Sequence, residues 1–353
     1  MRGLTRSVIA LLGAAALSVG LAACGGDDDT TSGGDGTNAA AVKLRLGYVT
    51  TPQHPYGIAV AAFEKEVEAA AAGKVDVELI PNYTGGDVKL LDDVSGGAVE
   101  MAAVSTATWD TKDVNVFQAL QAPFLITNYG LEQTILEGPI GTAMLESDNG
   151  PKKLGLVGLG ILEGGLRKPL GRDAALKSPA DFKGKKIRAP QSKVLSAALS
   201  ALGAEPVALP VGDVFTALQN GTVDGMEANL GLIATNKYNE VAKFVSQDVN
   251  LFPFPAAVVI NQKQFDGLPD DVKAAVQTAG KNLAKSSIHV FLHPAPGAPN
   301  FVQVLCDAGL TFAFAGEANR AALAKAAESA YTDLSADSEV AGSYQTALDF
   351  VAV

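Results

Sequence analysis

Two cysteines, three histidines and a single tryptophan are spread over 353 residues. So few cysteines exclude a disulfide-built scaffold, and so few histidines leave little for a zinc cluster. Basic residues are also scarce, with 27 Lys plus Arg against 38 Asp plus Glu, a formal net charge of −11. A surface of that sign is not drawn over its whole area to nucleic acid or to anionic headgroups. Beyond the N-terminus no apolar run approaches membrane-spanning length, which excludes a polytopic channel or transporter. The chain also lacks a G-x-S-x-G, a P-loop, and a G-x-G-x-x-G set between strand and helix. What is present, 48% hydrophobic and 18% charged residues, describes a globular protein whose length suggests two domains.

The N-terminus reads as an address. Arg2 and Arg6 precede an apolar stretch from Ser7 to Ala22, too short to span a membrane and laid out like a secretory signal. It ends in Leu21-Ala22-Ala23-Cys24, which resembles the lipobox of bacterial lipoproteins. That likeness implies lipidation of Cys24, removal of residues 1–23 and a protein held at the membrane by its acyl chains. Residues 25–41 contain no large apolar side chain and read as a flexible tether. Loss of the leader, with Arg2 and Arg6, takes the formal charge from −11 to −13. The Asn82-Tyr83-Thr84 and Asn220-Gly221-Thr222 sequons are read as accidental.

Val42, Leu44, Leu46 and Tyr48 alternate with polar residues or glycine and predict a strand. Ala59, Phe63, Val67 and Ala70 then fall at helical spacing, and Val75, Val77 and Leu79 alternate again. Asp87 is placed to cap a helix closed by Gly96-Gly97, before a short buried strand at Met101 to Val104. A second β-α-β series begins near Phe182, with Ile187-Arg188-Ala189 as a strand and Ser192 and Asp213 as helix caps. Repeated alternation of this kind predicts open, mostly parallel sheets with the ligand at the strand carboxyl ends. A long helix from Asp270 toward His289 follows, broken by Pro294, Pro296 and Pro299, and two helices, Glu317 to Tyr331 and Glu339 to Phe350, close the chain.

Catalytic patterns are weak. His289 and His293 share a helix face at metal-ligand spacing, but no Glu or Asp joins them in a zincin pattern, so no metal is expected. Cys306 sits in a helical context and reads as a small packed residue. No histidine lies in a triad-like motif, so the chain is not expected to be an enzyme. The alternative from that class is a surface hydrolase of small acid derivatives.

The most specific stretch runs from Ala180 to Val245. It carries Asp181-Phe182-Lys183-Gly184-Lys185-Lys186-Ile187-Arg188-Ala189-Pro190, then Leu202-Gly203-Ala204-Glu205-Pro206, then Val223-Asp224-Gly225-Met226-Glu227 and Asn239-Glu240-Val241-Ala242. Upstream stand His54-Pro55, Pro81-Asn82, Gly85-Gly86-Asp87, Glu100-Met101 and Leu120-Gln121-Ala122-Pro123-Phe124. In this order the motifs resemble the DctP-type solute-binding proteins of TRAP transporters, from about Leu44 to Lys285.

The resemblance implies an α/β, two-lobe, periplasmic-binding-protein-like fold with crossing hinge strands and a long lobe-spanning helix. Residues 42–164 plus 254–293 would form lobe I, and 165–253 plus 294–353 lobe II. It implies a small organic-acid ligand in the interlobe cleft, delivered to the membrane subunits of a TRAP-type transporter by an extracytoplasmic, lipid-anchored monomer without cofactor. A ligand sensor feeding a signalling partner is the alternative.

By the same likeness Arg188, in K-I-R-x-P, holds the ligand carboxylate, and Arg167 is a second arginine reaching it. Arg188 also stands on its own chemistry, because a guanidinium at a strand-to-helix junction can grip a carboxylate with two prongs. Gln191 falls where relatives carry a polar contact. Asn229 is a weaker candidate, because Ala228 directly follows the glutamate where relatives commonly place Asn or Trp. Ser105 and Val49 replace the acidic and amide contacts of sialic-acid binders and argue against that ligand. Trp109, Tyr56, Tyr83 and Phe124 are candidates for the apolar wall.

Overall fold

The structure, a computed structural model, describes residues 40–336. The leader, Cys24, the tether up to residue 39 and the helix expected over Glu339–Phe350 lie outside the described residues.

The first half of the chain runs through β1 (Val42–Gly47), α1 (Pro55–Ala70), β2 (Val75–Ile80), α2 (Gly86–Ser95) and β3 (Met101–Ser105). Two short 3-10 turns, α3 (Tyr129–Glu137), α4 (Pro139–Glu146) and β4 (Leu156–Glu163) follow. A second series holds β5 (Lys168–Gly171), α5 (Pro179–Phe182), β6 (Lys186–Ala189), α6 (Lys193–Ala201) and β7 (Glu205–Ala208). It continues with α7 (Val214–Gln219), β8 (Gly225–Ala228), α8 (Leu230–Thr235) and β9 (Phe244–Ser246). The chain then returns through β10 (Pro255–Asn261), α9 (Gln262–Asp266) and α10 (Asp270–Leu292), and ends its described part with α11 (Phe301–Asp307), β11 (Thr311–Ala313) and α12 (Gly316–Ala336).

Two sheets result, ordered β2-β1-β3-β10-β4 and β11-β9-β5-β8-β6-β7. Both are mixed rather than mostly parallel. β10 enters antiparallel between β3 and β4, and β5 lies antiparallel between β8 and β9. Every residue of β10 is buried, as a central strand covered on both faces requires. α1 begins with Pro55 at its first position, where a missing N–H costs nothing, and buries Ala59, Val60, Phe63 and Val67. Val60, Phe63 and Val67 pack with Val272, Val276, Ala279 and Leu283 of α10 in one core against the first sheet. The approach of α10 to β4 is close enough that a Cβ on Gly160 would lie 2.0 Å from the Gly280 carbonyl oxygen. Only glycine fits there.

Two strands cross between the sheets and bond to each other. Gly164 N–H donates to the Phe254 carbonyl at 2.9 Å, Arg167 N–H to Phe252 at 2.8 Å, and Leu251 N–H back to Arg167 at 2.8 Å. The hinge is therefore a short antiparallel ribbon, not a pair of loose loops. α10 lies along the first sheet, whereas α12 touches both lobes: Leu323 and Ala327 sit in the core with Phe182 and Leu195, and Tyr331 packs against the core that holds Trp109.

Side-chain contacts tie the lobes to each other at several points. Asp110 accepts from Ser192 Oγ at 2.9 Å and from Val194 N–H at 3.1 Å, so the start of α6 is capped by its own serine and by an aspartate of the other lobe. Lys193 pairs with Asp113 at 3.0 Å. His54 meets Asn229 at 3.0 Å. Cys306, expected to be packed, is an exposed free thiol on α11; Leu305 takes the buried position of that helix.

Candidate functional site

Three neighbouring strands of the second sheet set the charged centre. Arg188 lies on β6 and Glu227 on the adjacent β8, while Arg167 immediately precedes β5 on the other side of β8. All three are buried. Arg167 donates through Nε to Glu227 Oε2 and through Nη2 to the Glu227 carbonyl at 2.8 Å, and its guanidinium stacks over the Phe254 ring at 4.6 Å. Arg188 donates through Nε and Nη2 to the Leu209 carbonyl at 3.0 and 2.7 Å, with Nη1 at 3.5 Å from Glu227 Oε1. Burial lowers the Arg188 pKa while Glu227 raises it. Both guanidiniums remain cationic.

The consequence is a half-satisfied pair of forks. Arg167 Nη1 is buried without a hydrogen-bond partner among the described residues, and Glu227 Oε1 has none either. Buried donors of this kind cost free energy unless something completes them. Glu227 offsets one of the two positive charges and locks Arg167 in place. A carboxylate is the planar, two-oxygen group that matches the remaining N–H donors.

Asp87 stands across from this pair. It is half-buried in the first turn of α2 and accepts the Ser105 N–H at 2.9 Å. Burial pushes its pKa up to about 6, partly opposed by the Ser105 bond and by Arg188 and Arg167. It was expected to cap α2. Gly85 takes the capping position in left-handed backbone instead, and the Asp87 side chain reaches to the end of β3.

A different pair of acids lies at the hinge. Glu132 and Glu163 are fully buried and face each other. Glu163 accepts the Gly165 N–H; burial pushes its pKa up, opposed by Glu132 and by the amides of Gly165, Phe254 and Gly164. Burial, with the Glu163 charge next, holds Glu132 well above the usual carboxyl range.

The model of the bacterial extracellular solute-binding proteins, family 7, called DctP, matches residues 46–337. The chain belongs to the DctP family. A C4-dicarboxylate-binding periplasmic protein DctP of Rhodobacter capsulatus is 31% identical over 312 residues, 87% of each chain. The 2,3-diketo-L-gulonate-binding periplasmic protein YiaO of Escherichia coli is 31% identical over 69% of this chain and 73% of its own. Among solved structures, the sugar acid binding protein DctPAm from Advenella mimigardefordensis, in complex with galactonate, superposes with a TM-score of 0.79 at 26% identity, over 88% of this chain and 97% of that one. A TRAP periplasmic solute binding protein from a Bradyrhizobium species, in complex with galacturonate, gives 0.78 at 27% identity, over 87% and 99%. This is a TRAP-type solute-binding protein with the two-lobe fold, of an extracytoplasmic transport family whose relatives include binders of carboxylates and sugar acids.

Within this DctP-family chain the other candidates fall in different places. Gln191 is half-buried just before α6. Asn229 is the N-cap of α8: its Oδ1 accepts from Leu232 N–H and from His54, and its Nδ2 donates to the Gly164 carbonyl. Its amide is spent on holding a helix start to the hinge. Ser105 offers its backbone N–H to Asp87 and turns its hydroxyl to the Ala107 N–H as a helix cap.

Trp109 and Tyr56, expected on the apolar wall, have no accessible surface. Trp109 stacks edge-on against Phe117 in the core, and the Tyr56 hydroxyl donates to the Ala103 carbonyl. Glu227 and Asp87 carried no ligand role in the sequence reading. The D-G-x-E motif pointed at the first without saying that strand register would wedge it between two arginines.

A groove of about 900 Å³ lies apart from these charges, at the hinge edge of α10 and α8. Its lining is mostly apolar, with Ile58, Leu230, Phe291 and the Pro294–Pro299 segment, and includes none of Arg167, Arg188 or Glu227. His289 and His293 lie there with ring centres 4.7 Å apart and planes tilted by 39°. Among the described residues no group of three His, Cys, Asp or Glu is placed to hold a metal. The charged centre, not this groove, has the chemistry to hold an anion.

Proposed function

We propose that this protein captures a small organic acid in the interlobe cleft, holds its carboxylate with Arg167 and Arg188, and delivers it without chemical change to the membrane subunits of a TRAP-type secondary transporter. The observation that carries the reading is the pair of guanidiniums fixed side by side by Glu227, with a buried Arg167 donor left open. The binding of carboxylates by relatives supports it. No nucleophile and base stand in a catalytic pattern in the sequence, which favours binding over turnover.

A screen by thermal shift against monocarboxylates, dicarboxylates, keto acids and sugar acids tests this. A ligand at about 100 times its dissociation constant adds about 2.7 kcal/mol to stability. At least one acid should therefore raise the melting temperature by several degrees, whereas matched neutral polyols should not. Stabilisation by neutral solutes alone would overturn the carboxylate reading.

We further propose that the mature protein begins at Cys24 and is held at the outer face of the cell membrane by lipid on that residue. The Leu21-Ala22-Ala23-Cys24 sequence after an apolar leader supports this. At roughly 0.8 kcal/mol per buried methylene, two acyl chains hold where one exchanges. No helix among the described residues is long and apolar enough to cross a membrane. Cys24→Ser should abolish incorporation of labelled fatty acid and move the protein from the membrane to the soluble fraction, with acid binding unchanged. Label retained on the variant would refute the anchor.

A further inference from the structure

We propose that residues 337–353, which follow α12, dock through an apolar stripe into the groove beside the hinge and clasp the two lobes there.

The groove offers more apolar surface than an ordinary protein face. Ile58 and Val302, which line it, are 40% and 41% exposed, and Leu292 at the end of α10 is 49% exposed. Contiguous exposed apolar surface of this kind marks a contact site. Its walls come from both lobes. Ile58 of α1 and Phe291 of α10 belong to helices that share the core of the first sheet, whereas Leu230 belongs to α8, which packs in a core of the second. Leu166, in the hinge ribbon, lines it too. An occupant therefore touches both lobes and the ribbon between them.

The sequence supplies a matching segment, beyond the part that the DctP family shares. Val340, Tyr344, Ala347, Leu348 and Val351 recur at i, i+4, i+7, i+8 and i+11, which is one face of a helix. Glu339, Thr346 and Asp349 fall on the other face. Asp337, Glu339 and Asp349 make the segment acidic, with no Lys or Arg to offset them. A surface that is net negative disfavours such a segment, but no Asp or Glu lines the groove, and Lys168 does. Lys168 Nζ donates to the Gln247 carbonyl and to Asn250 Oδ1, at 2.7 and 2.6 Å, both uncharged, which leaves one of its three donors to spend.

The segment also starts in the right place. Near the end of α12 the Tyr331 hydroxyl donates to the Pro123 carbonyl. Phe124 N–H donates to the Leu251 carbonyl at 2.6 Å, and Asn250 Nδ2 to the Thr127 carbonyl at 2.9 Å. Asn250 and Tyr129 both line the groove. The end of α12 thus rests on the stretch from Pro123 to Tyr129 that leads into a groove wall, and that stretch spans at most about 20 Å. Residues 337–353 reach about 25 Å as a helix and about 55 Å extended.

Amide hydrogen exchange tests this on the chain from residue 24 carrying Cys24→Ser, without added ligand, at two widely separated protein concentrations. Leu348→Asp with Val351→Asp puts charge on the stripe of the segment; Ile58→Asp puts charge in the groove. The unsubstituted chain should protect residues 339–351, and Ile58→Asp should speed exchange there by roughly tenfold or more. The segment variant should in turn speed exchange across the groove at residues 295–302 and at the hinge amides of Gly164, Arg167 and Leu251. A local effect would stay on the substituted stretch. Unprotected residues 339–351 in the unsubstituted chain, or protection there that a folded Ile58→Asp leaves intact, overturns the docking. Protection that rises with protein concentration overturns it as well, since a second copy would then fill the groove. Hinge amides that do not respond to the segment variant overturn the clasp. Thermal unfolding shows whether Ile58→Asp folds, and the segment variant decides alone if it does not.

Discussion

Arg188→Ala should weaken acid binding by roughly 30-fold to several-thousand-fold, since removing one partner of a buried, hydrogen-bonded charge pair costs on the order of 2 to 5 kcal/mol. The surface is net negative, so long-range attraction does not concentrate an anion near the cleft; the site must supply its own positive charge. Arg188→Lys keeps a charge but loses the planar fork, and should recover only part of the loss.

Arg167→Ala should behave differently from Arg188→Ala. Arg167 is the main partner of Glu227, which has no exposure, and a buried carboxylate stripped of its partner typically destabilises by about 3 to 5 kcal/mol. Loss of binding with intact folding is therefore the signature of Arg188, and loss of both that of Arg167. Isothermal calorimetry beside denaturant unfolding separates them. Binding by a folded Arg188→Ala within about threefold of wild type would exclude Arg188 from carboxylate capture.

The second large effect is a dependence of stability on pH through His54. Its ring has no exposure. Nδ1 accepts the Tyr56 N–H at 3.1 Å, which assigns the proton to Nε2 and makes it the donor to Asn229. Burial pushes its pKa down to about 4, with the Asn229 bond opposing and the Arg167 charge adding to the fall. The unfolded chain titrates that histidine near 6.5.

Between those values the unfolded state binds the proton and the folded state does not. The stability contributed by neutral His54 is thus full above pH 6.5 and is lost as the pH falls toward 4, by about 3 kcal/mol. Asp87, pushed up to about 6, acts in the opposite direction, as do Glu132 and Glu163. The readout is therefore the difference between wild type and His54→Gln, in which those contributions cancel. Wild type should lose about 3 kcal/mol more than the variant between pH 7.5 and pH 4, measured by urea unfolding. Parallel curves would show that His54 is not a buried neutral base.

Local chemistry made much of the chain legible before folding. Period-two runs marked β1 and β2, apolar residues at helical spacing marked α1 and α10, and Ser192 announced the start of α6, because each depends on neighbours within one or two turns. The ordered motifs from His54-Pro55 to Asn239-Glu240 were enough to point to the DctP family. The arginine of K-I-R-x-P could be singled out because its residue type and its place at a strand end both suit a carboxylate.

What tertiary structure decided was which distant residues share one space. β10 shows no alternation, since both of its faces are covered, so its antiparallel entry between β3 and β4 was invisible and the sheets looked more parallel than they are. Trp109 and Tyr56 look like cleft aromatics by residue type, yet the first lobe needs that volume for its core. Asn229 looked like a ligand contact, but a helix start and a hinge carbonyl use its amide. Glu227 acquired its role only when β5, β8 and β6 aligned it between two arginines. Sequence spacing reports neighbours along the chain; the charge balance of Arg167, Arg188 and Glu227 is a property of residues 21 to 60 positions apart, fixed by strand register.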